Sequence, residues 1–543
     1  MKNSFKILVA CSVTAFATGC DSFLDINTNP NNPLTATADA VLAQALKVTA
    51  DNYSIVYNPY SSFAVGQIGK SGTVNGYQEE RTYNYNSQYS QAVFNNTYDN
   101  LYDYDIVEKQ GKANNQPDHA SIAEIMKVYN YQLLVDQYGD IPYSQALQGG
   151  VNTTPKYDKA DEIYKDFIVK LNTAIDEITT NKPSTTKRTV GSEDIVFGGN
   201  MDNWVRFANS LKLRILMRQS SAPALDTYVR TEMTKLQAAA AASGGYITGD
   251  VLVQPGYVQS EAQQSPYFNR YRAVAAGTSS VERYYTLPTK YLLAQYSLNH
   301  DPRGPRIYRT SGGKFVNGVI LGENLPVLGT AGTRFLDFGG VFKGLDAPVP
   351  LMLKTDDYFT QSEAKLLGFF TGGDAAAKAD FVRGIAASFT YFYTPAPSRR
   401  GTSSDSSASV ATKVLKYTSN NLTNALVDWD ASTTLVREAR SAAGAADPAY
   451  TTLLTTPRAV SKQEKIIYQK YLAVNAVAST EAWDDYRRTG LPRFPASLQS
   501  VSTRADKLPV RLLYPITEVT SNSSNLPTGI NQFSSNIFWD VLD

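Results

Sequence analysis

The chain has 543 residues, and its 51 basic and 50 acidic side chains leave a formal charge of +1. That balance excludes the basic footprint of a nucleic-acid binder and an acidic solvating tail. An apolar content of 43% is ample for a core, and the length alone would accommodate roughly two to four domains.

The first 19 residues read as a secretory signal peptide. Lys2 and Lys6 form a positive n-region, Ile7 to Ala17 is an apolar run, and Ala17-Thr18-Gly19 places small residues before Cys20. The run is far short of the roughly 20 residues of a membrane-spanning helix. A second candidate box, Leu8-Val9-Ala10-Cys11, would leave only about five apolar residues after Lys6, below the roughly 7–15 of an h-region. An ordinary cleaved signal with an incidental cysteine is the remaining alternative. Cys20 is the expected first residue of the mature protein and its lipidation site, which ties the chain to a bacterial envelope membrane. Cys11 and Cys20 are the only cysteines, so no intramolecular disulfide is expected in the mature chain.

Residues 20–40 form an Asn-, Pro- and Thr-rich tether that turns at Asn29-Pro30 and Asn32-Pro33. Val41 to Val48 starts the first helical run. From 52 to 91 the chain is rich in Tyr, Asn and Gln, is punctuated by Gly66, Gly69, Gly72 and Gly76, and predicts mainly long loops, with short helical pieces as the alternative. Helical stripes follow. The first starts at a Ser121–Glu124 capping box and stops at Gly139; the second runs from Ile163 to Ile178, and the third from Trp204 to Ile215. Arg214 and Arg218 fall in the last turns of the third, where they complement the helix dipole. A fourth stripe spans about Asp226 to Ala242.

Residues 246–350 break this rhythm, with a hairpin expected around Asn317-Gly318. Phe359 to Phe389 reads as an antiparallel helix pair of about 35 residues, the size of a tetratricopeptide-like unit. Another loop-like insertion covers 395–460, a second capping box opens a helix at Ser461, and the tail from Thr489 is expected to wrap the surface. Because one helix pair cannot bury its apolar face alone, stacked pairs are the economical architecture. The expected fold is all-α, a tetratricopeptide-like helix-pair scaffold with long irregular loops and minor β-hairpins.

Several stretches, in this order and spacing, carry a resemblance. They are Cys20-Asp21-Ser22-Phe23-Leu24-Asp25 with Asn29-Pro30-Asn31, Asp136 to Tyr143 (DQYGDIPY) and Trp204 to Arg214 (WVRFANSLKLR). Asp301-Pro302-Arg303, Glu363-Ala364-Lys365 and Glu481 to Gly490 (EAWDDYRRTG) complete the set. Together they resemble the SusD/RagB family of outer-membrane lipoproteins, in particular its SusD-like nutrient-binding branch. Ala17 departs from the Leu, Val or Ile that a lipobox prefers. The resemblance implies one helical-repeat domain over 41–543, surface exposure at the outer membrane, and no catalysis. It also implies a partner, a TonB-dependent β-barrel transporter that receives oligosaccharides or peptides.

The residues themselves agree. His119 and His300 are the only histidines, and no nucleophile elbow, phosphate loop or dinucleotide fingerprint occurs. No cofactor or metal is expected. Asp99, Asp103 and Asp105 lack the Gly and distal Glu of a calcium loop and read as a solvated helix face, although some family members bind calcium. The acids and arginines of Glu481–Gly490 could form a binding site, but read better as Trp483 in the core with Arg487 or Arg488 paired to Asp484 or Asp485. A carboxylate-pair hydrolase and a surface adhesion scaffold are the alternative functions.

Tyrosine is the compositional outlier, with 35 residues against 22 Phe and 4 Trp. Its ring stacks on a sugar face while its hydroxyl hydrogen-bonds, and loops on a rigid scaffold are where binding residues concentrate. The expected ligand contacts are therefore Tyr77, Tyr83, Tyr85, Tyr267 and Tyr271. The alternative for each is loop packing or contact with the barrel.

Overall fold

The computed structural model describes residues 36–541 apart from 71–75, 90, 317, 324–331, 401–406, 432, 439–453 and 505–507. Side chains at 407, 433–438 and 454–457 are also left out. The signal peptide, Cys20 and most of the tether lie outside the described residues.

Eleven longer helices carry the scaffold. They are α1 (Ala38–Asn52), α2 (Gln91–Ala113), α3 (Pro117–Tyr138), α4 (Ala160–Asn181), α5 (Met201–Arg218) and α6 (Asp226–Ala242), then α7 (Lys354–Leu366), α8 (Gly373–Tyr393), α9 (Ser407–Ser419), α10 (Lys462–Ala473) and α11 (Ser479–Thr489). Successive helices from α1 to α6 pack side by side, and short connections such as 114–116 between α2 and α3 force antiparallel neighbours. Helix α5 then meets α7, and α7 contacts both α8 and α10. The pair α7/α8 packs closely because Gly384 has no side chain: a Cβ there would sit 2.7 Å from the Phe359 ring. The all-α expectation holds, and β-structure among the described residues is confined to two-stranded pairs. Among those residues no helix is long and apolar enough to cross a membrane.

Helix ends follow local chemistry. Gly139 closes α3 at φ +73°, and Ser461 caps α10 by accepting from the Glu464 N–H at 3.0 Å. Ser121 is not a cap. Helix α3 begins one turn earlier at Pro117, a residue suited to a first turn because it lacks an N–H.

Two loop segments hold more regular structure than expected. Residues 53–57 form a π-helical turn that joins α1 to a helix over Asn58–Ala64, so the start of the 52–91 segment is helical. In 395–460, α9 and the antiparallel pair Thr433–Glu438/Leu454–Ala459 replace part of the loop. Beside the hairpin expected around Asn317-Gly318, Ser311 bridges Lys314, and Val319 bridges Thr289 in parallel. Asn317 lies outside the described residues. The tail is also corrected. Leu508, Val510, Leu512, Tyr514, Ile537 and Trp539 are buried, so the last segment completes the core as well as covering it.

Candidate binding cleft

The short helix Pro266–Tyr271 sits where the 246–350 insertion meets the segment after α1, and Arg270 Nη1 donates to the Ile55 carbonyl. Tyr267 and Tyr271 lie 4.8 Å apart, and both contact Phe342, onto which Tyr271 stacks with the planes 3° apart. Beside them lies a small cleft with about 30 Å³ of open volume, walled by Tyr267, Phe268, Val341, Tyr391 and Pro348–Pro350. Ser54, Asn58, Ser265 and Lys343 supply its polar edge. Apolar walls with a few convergent polar groups match the make-up of a small-ligand site, but the volume is far below the roughly 300–1,000 Å³ that such sites enclose. A wider groove of about 550 Å³ lies among α4, α5 and α6, but no aromatic residue lines it.

Lys343 is only 7% exposed. Its ammonium lies 3.7 Å from the Tyr391 ring centroid and donates to the Tyr391 carbonyl. Burial lowers its pKa to about 7, against the attraction of Asp250, so the amine titrates near neutrality.

The five expected tyrosines fall into two groups. Tyr77, in the left-handed region at φ 56°, is half-buried and stacks on Phe63 at 5.3 Å. Tyr83 and Tyr85 are 0% exposed. Tyr85 packs against Tyr60 and Tyr89, and Tyr83 reaches towards the Ala64 carbonyl at 3.4 Å. Tyr271 is buried too, and burial raises its hydroxyl pKa to about 12. Tyr83, Tyr85 and Tyr271 therefore give no ring face to solvent in this conformation; they support the surface, while Tyr77 and Tyr267 reach it. The two groups adjoin, because the Arg270 charge favours the ionised form of Glu80, whose pKa burial raises.

The Glu481–Gly490 stretch is structural. Arg218 bridges Glu481 and Asp484 at 2.6 Å each, Arg214 bridges Asp356 at 2.8 Å and Glu481 at 3.1 Å, and Lys470 joins Asp356 to Asp485 at 2.7 and 2.9 Å. Arg488 spans Glu363 and Asp485, and Arg487 pairs with Asp484 while lying between the Trp483 and Trp539 rings. Every one of these side chains is at most 6% exposed. Arg214 and Arg218 are thus buried ion-pair partners rather than solvated dipole caps. Water does not reach these acids, and each is held by a cation.

Asp39, His119 and Glu193 converge, with His119 Nε2 3.2 and 3.0 Å from the two carboxylates, and are the one set among the described residues that could jointly ligate a metal. Sequence spacing gave no sign of it. Arg188 and Gln116 also engage Asp39, which closes the cluster as an ion-pair network. Of the three neighbouring acids on α2, Asp99 is exposed, whereas Asp105 is buried and pairs with Lys127 at 3.2 Å.

Solved structures of this architecture are numerous. A chitin-binding SusD homolog from Flavobacterium johnsoniae superposes with a TM-score of 0.69 at 20% identity, covering 92% of this chain and 99% of that one. SusD homologs from Bacteroides uniformis (TM-score 0.66, 23% identity, 92% and 99% coverage) and Bacteroides fragilis (0.68, 18%, 93% and 99%) agree. No curated protein matches the chain in sequence. The fold is therefore that of the tetratricopeptide-type outer-membrane binding proteins. A profile of the SusD-like family, described as starch-binding and associating with the outer membrane, matches residues 30–515. The chain belongs to the SusD-like family, whose members are in general binding proteins without catalysis.

Proposed function

We propose that this chain is a surface-exposed lipoprotein, anchored through Cys20, that captures oligosaccharides and delivers them to a TonB-dependent outer-membrane barrel. The observation that carries this reading is the family match over residues 30–515. The half-exposed Tyr267 ring supports it, because a sugar's C–H face packs on such a ring at the surface. Tyr77 and Tyr267 are the contacting rings, with Tyr83, Tyr85 and Tyr271 packed behind them.

Isothermal titration of the mature protein against neutral and acidic oligosaccharides and an oligopeptide pool tests this. Glycan binding is expected, and Tyr267→Ala should weaken it by roughly tenfold or more, the scale of a lost aromatic contact, while the variant stays folded at the assay temperature. Binding to peptides alone would replace the ligand class. No binding to any probe, together with failure to co-purify with a β-barrel, would overturn the reading.

A further inference from the structure

The 246–350 insertion gathers four arginines around a single carboxylate. Asp337 receives Arg272 at 2.6 Å and also the guanidiniums of Arg283 and Arg309. The Arg272 contact is at ion-pair distance, yet neither Arg272 Nε nor Asp337 Oδ1 has an aligned hydrogen bond. Arg334 joins them because Tyr308 and Phe335 form an antiparallel bridge, and the Arg309 N–H donates to the Arg334 carbonyl at 2.8 Å. The Arg334 guanidinium lies 5.4 Å over the Tyr284 ring, and its Nε is buried with no hydrogen-bond partner. Arg283 approaches the same ring at 5.8 Å.

The charges here do not balance, in contrast to the network around Glu481. The nearby acid Glu282 faces Arg270 instead, at 3.6 Å. Among the described residues, Asp337 is the one carboxylate paired with these arginines. Burial lowers the pKa values of Arg272 and Arg334; Asp337 opposes this at Arg272, and the neighbouring guanidiniums lower both further. Arg309 keeps 42% of its side chain exposed, so the cluster opens to solvent. Planar forks match oxyanions bidentately, and an aromatic ring beside them offers a platform for a sugar.

We propose that Arg272, Arg283, Arg309 and Arg334, with Tyr284, form a receptor for an anionic substituent, a carboxylate or sulfate, on the glycan this protein binds. The inference rests on the glycan-binding reading and adds the charge class of the ligand. The anion would share the guanidiniums with Asp337 and take up the unpartnered Arg334 Nε.

Titration of the mature protein with an oligogalacturonate, a chondroitin sulfate oligosaccharide and a neutral chito-oligosaccharide of equal length tests it. At least one acidic probe should bind more tightly than the neutral one, and its affinity should fall with added salt. Arg309→Gln and Arg334→Gln should each weaken acidic binding by about tenfold, the loss of one charge-assisted contact, and leave neutral binding unchanged. Asp337→Asn should strengthen it, because the resident competitor is gone; a purely structural cluster predicts lower stability with no gain. Preference for the uronate or the sulfate identifies the anion. Neutral binding without an acidic preference, or acidic binding untouched by both arginine variants, overturns this inference alone. Absence of any glycan binding overturns the glycan reading as well.

Discussion

At the level of single residues, the buried acids show how far environment decides behaviour. Asp357 is buried on α7, where burial and the neighbouring Asp356 charge raise its pKa to about 7, against hydrogen bonds from Ser210 and Gln361. Its Oδ1 has no partner. A carboxyl whose folded pKa exceeds its unfolded value of about 3.9 holds its proton longer in the native state, so stability falls as pH rises from about 4 to 7. Asp357→Asn should therefore gain stability over the parent across that window and hold the gain above it. Denaturant unfolding at pH 4 and pH 8 checks this, and a gain that is equal at both pH values would contradict it. Asp356 behaves oppositely: Lys470 and Arg214 outweigh its burial and hold its pKa down. The pairing of Arg487 with Asp484 was legible because i,i+3 spacing puts both on one helix face. The roles of Arg214 and Arg218 were not, since Asp356 lies 142 residues beyond Arg214, and Glu481 lies 263 beyond Arg218.

Among the elements, the segment after α1 and the C-terminal tail changed most between sequence and structure. Tyr53, Tyr57, Tyr60 and Ala64 follow helical spacing and are all buried, yet their polarity and the glycines beyond them resembled a loop. The π-turn also shifts the phase of the apolar face, which a fixed 3.6-residue period does not follow. The tail carries no period at all. Its contacts are long-range, such as the Trp539 indole donating to Asp136 at 3.2 Å. Trp539 is fully buried, so Trp539→Ala should cost about 3–5 kcal/mol, measured as a lower denaturant midpoint. A cost below about 1 kcal/mol would place the tail outside the cooperative core. The regular stripes α4 and α6, by contrast, were legible because one apolar face per helix packs on its neighbours, whereas α5 is buried on all sides over its second half.

For the whole molecule, helix pairs supply a rigid body and the insertions supply its chemistry. The fold class was readable from periodicity, and the family from spaced motifs. Which tyrosines are exposed was not legible, because Tyr content does not separate core packing from surface: Tyr83 and Tyr85 are core residues, as Tyr57 and Tyr60 are. If Cys20 is the membrane anchor, then Cys20→Ala should release the protein from the membrane fraction and impair uptake while leaving glycan affinity unchanged. Fractionation and titration of the purified variant check both halves, and lost affinity would refute an anchor-only role.

The buried Trp539 also bears on biosynthesis. It packs against Arg487, which pairs with Asp484, and hydrogen-bonds to Asp136 on α3. The Trp539–Asp136 hydrogen bond spans 403 residues of sequence, so it closes only after both segments have emerged, and its closure costs the entropy of a long loop.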